Sequence, residues 1–277
     1  MIDGPEIHRP RIIMGASDSV AIVGRNMLRL GRAPDQMVFT VVSPILFTLL
    51  FTYIFGGAIR QLGNTKYIDY LLPGIIVMAA MFTSGNTGFS LAEDGTSGFL
   101  DRLRSLPMVR GAVVAGRVCS DAITNVVEIG IIVIVGMAVG YRTSSAIGLI
   151  CGIALVVAFA VSTSLLFGYI GLNASSAQAV NAATFPIIFL LTFASSAFVP
   201  PKTMPTWLQA FANHQPVSVV IDCVRALTLS DLGPAQRSAL FGGQSTSVLI
   251  VQALAWILGL GVIFGTLAMR RFGAPSE

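Results

Sequence analysis

Residues 143–201 contain no Asp, Glu, Lys or Arg. A helix needs about 20 apolar residues to cross the hydrocarbon core of a bilayer, so this stretch is long enough for two crossings. The segment GLNASSAQ at 171–178 supplies a polar break between them. Only 11% of the 277 residues are charged, whereas about a quarter are charged in a soluble domain. The sequence therefore predicts an integral membrane protein, and its spans must be helical because an open strand in lipid leaves backbone groups unpaired.

Six apolar segments along the chain are expected to cross the membrane as helices. They lie at about residues 37–59, 70–92, 112–141, 146–170, 179–199 and 246–269. Residues 37–270 then form one six-span transmembrane domain, with a cytosolic N-terminus at 1–36 and a cytosolic tail at 271–277. The expected fold class is all-α.

Lysine and arginine residues near the span ends predict the orientation of the chain. With the N-terminus inside, eleven lie on the cytosolic side, namely Arg9, Arg11, Arg25, Arg29, Arg32, Arg102, Arg104, Arg110, Arg117, Arg270 and Arg271. Six lie on the other side, namely Arg60, Lys66, Arg142, Lys202, Arg225 and Arg237. Because cytosolic loops carry the excess of positive charge, we expect both termini in the cytosol and residues 200–245 outside.

The segment DSVAIVGRNMLRLGRA at 18–33 has the pattern of an amphipathic helix. Its apolar residues recur at helical spacing, and its three arginines share another face. Such a helix lies at the inner leaflet, where anionic lipid headgroups attract the arginines. The alternative is an ordinary basic flank before the first span.

A second amphipathic segment, GFLDRLRSLPMVRG at 98–111, follows the second span. Its apolar side comprises Phe99, Leu100, Leu103 and Leu106, and its polar residues are Asp101, Arg102 and Arg104. Pro107 ends the short helix. The apolar side is too small to bury itself, so it needs either the membrane surface or a groove in another protein. We favour a docking helix for a soluble cytosolic partner over an interfacial loop whose arginines only set the orientation.

The chain carries no recognisable catalytic machinery of its own. A P-loop needs the sequence Gly-Lys-Ser/Thr, but the two lysines, Lys66 and Lys202, follow Thr and Pro. The two histidines lie outside the spans, and the three cysteines lack metal-binding spacing. We expect neither an enzyme nor a resident cofactor. If ATP drives transport, a separate polypeptide must supply the ATPase and its Mg²⁺.

Glu128 is a carboxyl group deep in the third span. A charge at a helix centre costs about 2.5–3.5 kcal/mol on insertion scales, so such groups usually face the bundle or a cavity. The sequence leaves three roles open: a polar contact in a translocation path, a proton-linked switch, or a buried carboxyl bonded to a neighbouring Asn or Thr. On the same helix, Arg117 and Asp121 are four residues apart and are expected to pair.

Two spans carry aromatic residues at helical spacing. Phe185, Phe189 and Phe193 are four residues apart on the fifth span, and Phe82, Asn86 and Phe89 share one side of the second. Apolar walls with a few polar groups suit a hydrophobic ligand. Helix packing or lipid contact is the commoner role for such a stripe, so the translocation path remains a hypothesis for these residues and for Glu128.

The segment from 199 to 229 is too apolar for an ordinary external loop. Pro205 precedes an apolar side that includes Trp207, a residue suited to the membrane interface. Pro216 then breaks the pattern and starts a second apolar stretch. We expect two short helices that return to the outer face of the membrane, with His214 in a local hydrogen-bonding role.

The stretches GFLDRLRSLPMVRGAVVAGRVCSD (98–121) and SSAFVPPKTMPTWLQAFANHQPVSVVIDCVRAL (195–227) resemble the permease subunits of ABC-type exporters, in particular the daunorubicin-resistance permease family. The resemblance, together with the six-span layout, implies that residues 99–107 form the coupling helix that sits in a cleft of an ABC ATPase subunit. It also implies a dimer with a second permease copy or a sister permease, external re-entrant helices, and a cargo path near the second and fifth spans.

The resulting hypothesis is the permease of an ATP-driven exporter for a hydrophobic drug, antibiotic or lipid in a bacterial cytoplasmic membrane. Arg102 and Arg104 would hold the ATPase surface, while Phe99 and Leu103 would anchor in its groove. Its expected partners are the ATPase, the second permease chain, membrane lipid and the cargo, with no nucleic acid. The alternative is a proton-coupled secondary transporter that uses Glu128 and works without an ATPase.

Overall fold

The computed structural model describes residues 23–24, 34–56, 66–98, 110–229 and 233–273. Within these ranges the chain forms helices and turns and contains no strand. In chain order the helices are α1 (Pro34–Phe55), α2 (Tyr67–Thr96), α3 (Arg110–Val139), α4 (Ala146–Asn173), α5 (Ala177–Phe193), α6 (Thr206–His214), α7 (Pro216–Thr228), α8 (Pro234–Phe241) and α9 (Thr246–Gly273). A 3₁₀ turn, Pro201–Thr203, precedes α6. The all-α expectation therefore holds over the described part of the chain.

Four of the described helices, α2, α3, α4 and α9, are long and apolar enough to cross a membrane. Two further apolar segments, Val42–Phe55 in α1 and Ala177–Phe193, are shorter. Each of the six spans predicted from the sequence overlaps one of these helices, and a crossing by all six stays a prediction. Apart from residues 23 and 24, which are helical, the amphipathic segment at 18–33 lies outside the described residues.

Helix α5 ends at Phe193, whereas the sequence pattern extended the fifth span to 199. The apolar run continues past the helix end, so hydropathy alone gives no signal to stop. The chain instead turns through residues 194–200. Within this turn Ser195 Oγ accepts a hydrogen bond from the backbone N–H of Ala197 at 3.0 Å. The backbone N–H of Ser196 donates to Ser218 Oγ of α7, also at 3.0 Å.

Helix α2 lies at the centre of the bundle and packs against α1, α3, α4, α5 and α7. In its most apolar window of 18 residues, 94% of the residues are buried, compared with 22% for α9. A helix that is buried on every side belongs to the core rather than to the lipid-facing surface. Helix α2 is therefore the most deeply buried of the long helices.

Glycines allow α2 and α4 to cross in close contact. A Cβ atom added at Gly171 would lie 2.2 Å from the carbonyl oxygen of Gly88, and one added at Gly88 would lie 2.4 Å from that of Phe167. No side chain fits at such distances, so the two backbones touch directly. Small residues are the usual means by which helices approach closely in a membrane, where packing rather than water exclusion drives association.

Helices α2 and α3 run antiparallel, with polar contacts at both ends of the pair. At one end Asp69 Oδ1 accepts a hydrogen bond from the backbone N–H of Arg142, which follows α3, at 2.8 Å. At the other end an Arg117 N–H group donates to Ser90 Oγ at 2.9 Å. The start of α2 thus meets the end of α3, and the end of α2 meets the start of α3. The connection 99–109 therefore lies at the α2 C-terminus, at the opposite end from Asp69.

The two short helices expected between 199 and 229 are present as α6 and α7. Pro205 is the N-cap of α6, and Pro216 occupies the first turn of α7, where a missing N–H costs nothing. His214 Nδ1 lies 2.8 Å from the carbonyl oxygen of Ala210, in keeping with a local hydrogen-bonding role. Helix α8 follows and was not expected from the sequence, because its eight residues have no strong apolar pattern.

Candidate functional site

The predicted coupling residues, Phe99, Leu100, Asp101, Arg102, Leu103, Arg104 and Leu106, lie outside the described residues. The structure does describe both flanks of this segment. Helix α2 ends at Thr96, and Gly98 follows with a φ of +69°, a conformation that favours glycine. Helix α3 begins at Arg110. The segment thus joins the C-terminus of the buried central helix to the N-terminus of a helix that packs along it.

The predicted aromatic stripe on α5 is continuous and extends beyond that helix. The Phe185 and Phe189 ring centroids are 6.0 Å apart, and those of Phe189 and Phe193 are 4.3 Å apart. Phe193 continues to Phe198 at 5.1 Å, and Phe198 stacks on Phe51 of α1 at 4.5 Å. We call these five residues the aromatic ladder. Its three members on α5 are between 39% and 57% exposed, so their rings line the outer surface of this chain.

The residues predicted on α2 meet this surface only in part. The Phe82 ring lies 6.5 Å from that of Phe185, so α2 contributes one ring beside the aromatic ladder. Asn86 is exposed. Phe89 packs against a small cluster formed by Ala92, Ala177 and Val180 where α2 meets the start of α5. The second and fifth predicted spans are therefore neighbours, as a shared path between them requires.

Glu128 lies in the interface between α2 and α3 and is 4% exposed. Thr83 Oγ1 donates a hydrogen bond to Glu128 Oε2 at 2.7 Å. Of the three roles that the sequence left open, this contact matches the buried carboxyl bonded to a neighbouring threonine. Glu128 packs on α3, whereas the phenylalanine rings grouped with it by the sequence lie along α5 and beside Phe82.

A second buried carboxyl group, that of Asp121, lies on α3 towards its N-terminal end. Thr87 Oγ1 donates to Asp121 Oδ2 and lies 3.3 Å from Ser164 Oγ of α4. Arg117 Nε is 3.4 Å from Asp121 Oδ1, which confirms the predicted pair. These side chains join α2, α3 and α4 through polar contacts near the connection 99–109. Buried polar groups of this kind fix helices in one register because each must keep its partner.

Sequence reasoning missed the importance of Arg225 on α7. This side chain is 1% exposed, and its guanidinium carbon lies 3.6 Å from the centroid of the Tyr70 ring. Its Nη1 group forms a salt bridge with Asp222 at 2.9 Å. A signal existed in the segment VVIDCVRAL, where an acid and a base three residues apart interrupt an apolar run. The sequence pattern placed Arg225 only among the six basic residues expected outside the membrane.

A family model described as ABC-2 type transporter matches residues 19–229, which is most of the chain. The match includes the connection 99–109, the aromatic ladder and both short helices α6 and α7. The chain belongs to the ABC-2 type transporter family. This ABC-2 family chain is accordingly a multi-pass membrane protein of the permease class.

Named relatives of this ABC-2 family chain are permeases. It is 32% identical over 220 residues to the daunorubicin resistance ABC transporter permease protein DrrB1 of Streptomyces coeruleorubidus, covering 79% of this chain and 77% of the relative. It is 26% identical over 226 residues to a protein described as a transport permease, ycf38, of Porphyra purpurea, covering 80% and 77%. It is 24% identical over 240 residues to a Mycobacterium tuberculosis protein described as a doxorubicin resistance ABC transporter permease, DrrC, covering 86% and 82%.

Proposed function

We propose that this chain is the permease subunit of an ATP-driven exporter that moves a hydrophobic drug, antibiotic or lipid across a bacterial cytoplasmic membrane. The observation that carries the proposal is the family match over residues 19–229, in a sequence that has no P-loop lysine. A permease without a motor needs a separate ATPase, which would bind ATP and Mg²⁺. Six helices cross the membrane, and both termini lie in the cytosol.

Residues 99–107 form the coupling helix in this proposal. Two features support this role: the amphipathic pattern of the segment, and its attachment to the C-terminus of α2, the most buried of the four long helices. A displacement of this segment would act directly on α2, in the core of the permease. ATP binding by two ATPase subunits would thereby bias the permease between inward-open and outward-open states, as any ligand biases a two-state element.

The aromatic ladder and Phe82 supply the cargo surface. Exposed rings on α5, together with the exposed Asn86 of α2, offer the apolar wall with scattered polar groups that suits a hydrophobic ligand. A second permease chain, either a copy or a sister subunit, would face this surface and enclose the cargo between the two chains. The names of the relatives DrrB1 and DrrC point to daunorubicin and doxorubicin as the first cargoes to test.

The central test replaces one apolar and one basic residue of the coupling segment with acidic residues, in the double variant Leu103→Asp, Arg104→Glu. We expect the permease to insert normally but to lose co-purification with a co-expressed ABC ATPase subunit, and to lose cargo export. The matched control reverses two charges at the opposite end of α2 and α3, with Lys66→Glu and Arg142→Glu. Both control side chains are exposed, and the control should keep ATPase binding. Unchanged export in the coupling variant would refute the docking role.

The competing function is a proton-coupled secondary transporter that depends on Glu128. The buried carboxyl of Glu128 is the observation in its favour. Glu128→Gln keeps the shape and a carbonyl acceptor for Thr83 but cannot carry a proton. An exporter driven by an ATPase should retain its transport rate in this variant and be inactive without its partner. Transport by the isolated permease that disappears in Glu128→Gln would establish the secondary transporter instead.

A further inference from the structure

The Arg225 guanidinium joins three separate parts of the molecule at one point. Its Nε donates to the carbonyl oxygen of Tyr70 in α2 at 2.9 Å. Its Nη2 donates to the carbonyl oxygens of Ser196 and Ala197, in the turn after α5, at 2.8 and 3.1 Å. Its Nη1 contacts Ser196 Oγ at 3.2 Å and Asp222 Oδ1 at 2.9 Å. All five N–H donors of the guanidinium are thus used. We call these five residues the arginine node.

Contacts around the arginine node strengthen the same junction. Tyr70 Oη donates to the carbonyl oxygen of Ser196 at 2.6 Å, and Tyr67 Oη donates to that of Phe198 at 3.0 Å. A Cβ atom added at Gly74 would lie 2.5 Å from the carbonyl oxygen of Ala197, so the turn lies directly on the α2 backbone. The turn after α5 and helix α7 are therefore fastened to the first two turns of α2 by buried polar bonds.

The arginine node and the coupling segment lie at opposite ends of one helix. Tyr67 and Tyr70 begin α2, and the connection 99–109 follows its last residue, Thr96. A helix of 30 residues is about 45 Å long at 1.5 Å per residue. Helix α2 is therefore one continuous helix, with Pro73 in its second turn, that is held by the arginine node at one end and joined to the coupling segment at the other.

A junction held by this many buried hydrogen bonds should make the segments that it joins move together. A guanidinium whose five donors are all engaged, away from water, cannot shift without leaving several carbonyl groups unpaired, which is costly in a buried site. The pair α6–α7, which we call the external hairpin, also packs through Ser218, whose hydroxyl accepts from the backbone N–H of Ser196. Movement of α2 should therefore carry the external hairpin with it.

We propose that Arg225 is the positioning residue that makes α2 and the external hairpin a single rigid lever, so that displacement of the coupling segment moves the hairpin at the far end. This proposal rests on the proposed function, because it takes the motion to begin at residues 99–107. It adds a residue and a mechanism: cargo release on the outer side is controlled through the arginine node, without any contact between Arg225 and cargo or ATPase.

The test follows the external hairpin with a thiol label. In the permease–ATPase complex in nanodiscs, Asn213→Cys at an exposed position of α6 reports the exposure of the hairpin, after the exposed Cys119 and Cys151 are replaced by serine. The maleimide labelling rate should differ several-fold between the nucleotide-free and the vanadate-trapped complex. Arg225→Met should abolish that difference, and Arg225→Lys should restore part of it.

The matched control for this test is Arg142→Met. Arg142 is an exposed arginine, and its guanidinium donates to the carbonyl oxygens of Met137 and Tyr141, both close to it in the chain. Its loss therefore removes an arginine side chain without unfastening α2 from the external hairpin. The control should keep the nucleotide-dependent labelling difference.

A reversible tether tests the lever without removing Arg225. Lys66 and Val199 are exposed residues that flank the Tyr67–Phe198 contact. After both are replaced by cysteine, a short bis-thiosulfonate reagent should join the two thiols. If α2 and the hairpin move as one body, the tethered complex keeps the nucleotide-dependent labelling difference, and the tether restores that difference in Arg225→Met. The proposal fails if the tether abolishes the difference, if Arg225→Met leaves the difference intact, or if the unmodified complex has none.

ATPase binding and ATP hydrolysis are measured on the same samples. If the unmodified chain neither binds the ATPase nor supports ATP hydrolysis, the proposed function itself is refuted. Normal ATP hydrolysis with an unresponsive hairpin would refute only the lever. The two failures are therefore distinguishable within one preparation.

Discussion

Helices α2 and α5 are neighbours, yet they have opposite surfaces. Helix α2 buries nearly its whole circumference, including Asp69, Thr83 and Thr87. Helix α5 buries a narrow stripe of small and β-branched residues and exposes its phenylalanines; the buried residues are Ala177, Val180, Thr184, Ile188 and Thr192. In a membrane protein the polar groups are satisfied inside and the large apolar groups face lipid or ligand. The difference separates the part of the chain that holds the fold from the part that presents aromatic rings at the surface of this chain.

The largest effect is expected where α2 meets α4. Gly171→Val places a side chain against the Gly88 carbonyl oxygen and should cost about 3 kcal/mol, at the upper end of overpacking costs, because a backbone contact has little room to relax. We expect most of the protein to aggregate when detergent-solubilised samples are assayed by fluorescence-detected size-exclusion chromatography. Gly259→Val is the matched control, since a Cβ there meets nothing within 4 Å among the described residues. Equal yields for the two variants would contradict the close crossing.

A smaller loss is expected within the polar contacts of α2. Thr83→Val keeps the shape of the side chain but leaves the buried Glu128 without its hydroxyl donor, which should destabilise the fold by about 1–3 kcal/mol. Thermal unfolding in detergent provides the measurement. Thr83→Ser retains the donor and should lie close to the unaltered protein. If valine and serine behave alike, the hydrogen bond does not stabilise the α2–α3 interface.

Tyr70→Phe removes one hydrogen bond at the start of α2 and leaves its ring in place. We expect a loss of about 1 kcal/mol, because the Ser196 carbonyl oxygen still accepts from Arg225. The matched control is Tyr53→Phe, at a ring that is 75% exposed on α1. Thermal unfolding should separate the two variants, and a control as unstable as Tyr70→Phe would argue against the arginine node.

The smallest effect on stability is expected on the aromatic ladder. Phe189→Ala should cost less than about 1 kcal/mol, because the ring is 47% exposed and loses mainly its contacts with its neighbouring rings. In contrast, Phe159→Ala at the fully buried position on α4 should cost about 3–5 kcal/mol. Thermal unfolding in detergent compares the two, and equal losses would mean that the ladder is part of the core.

The same Phe189 variant distinguishes a cargo surface from a lipid surface. Daunorubicin-stimulated ATP hydrolysis by the complex should change in Phe189→Ala if the aromatic ladder contacts this cargo. Ile263→Ala, at a residue of α9 that is 54% exposed, should leave that stimulation unaltered. A matching response in the two variants would assign the aromatic ladder to lipid contact.

The sequence alone determined that the chain is an all-helical membrane protein, because long uncharged runs are stable only as helices in a bilayer. It also determined most of the helical segments to within a few residues, the turn chemistry at Pro205 and Pro216, and the pair Arg117–Asp121 on one helix. These features are local: each depends on residues a few positions apart along the chain.

Only the tertiary structure decided which helix is central and which residues fasten it. Hydropathy identifies both α2 and α9 as candidate spans, yet α2 is buried and α9 is largely exposed on this chain, because burial depends on neighbours that are distant in sequence. The early end of α5 and the role of Arg225 likewise depend on contacts between residues 70, 196 and 225. The hydrogen-bond acceptors of a guanidinium are determined by distances in space, and a pattern along the sequence does not give those distances.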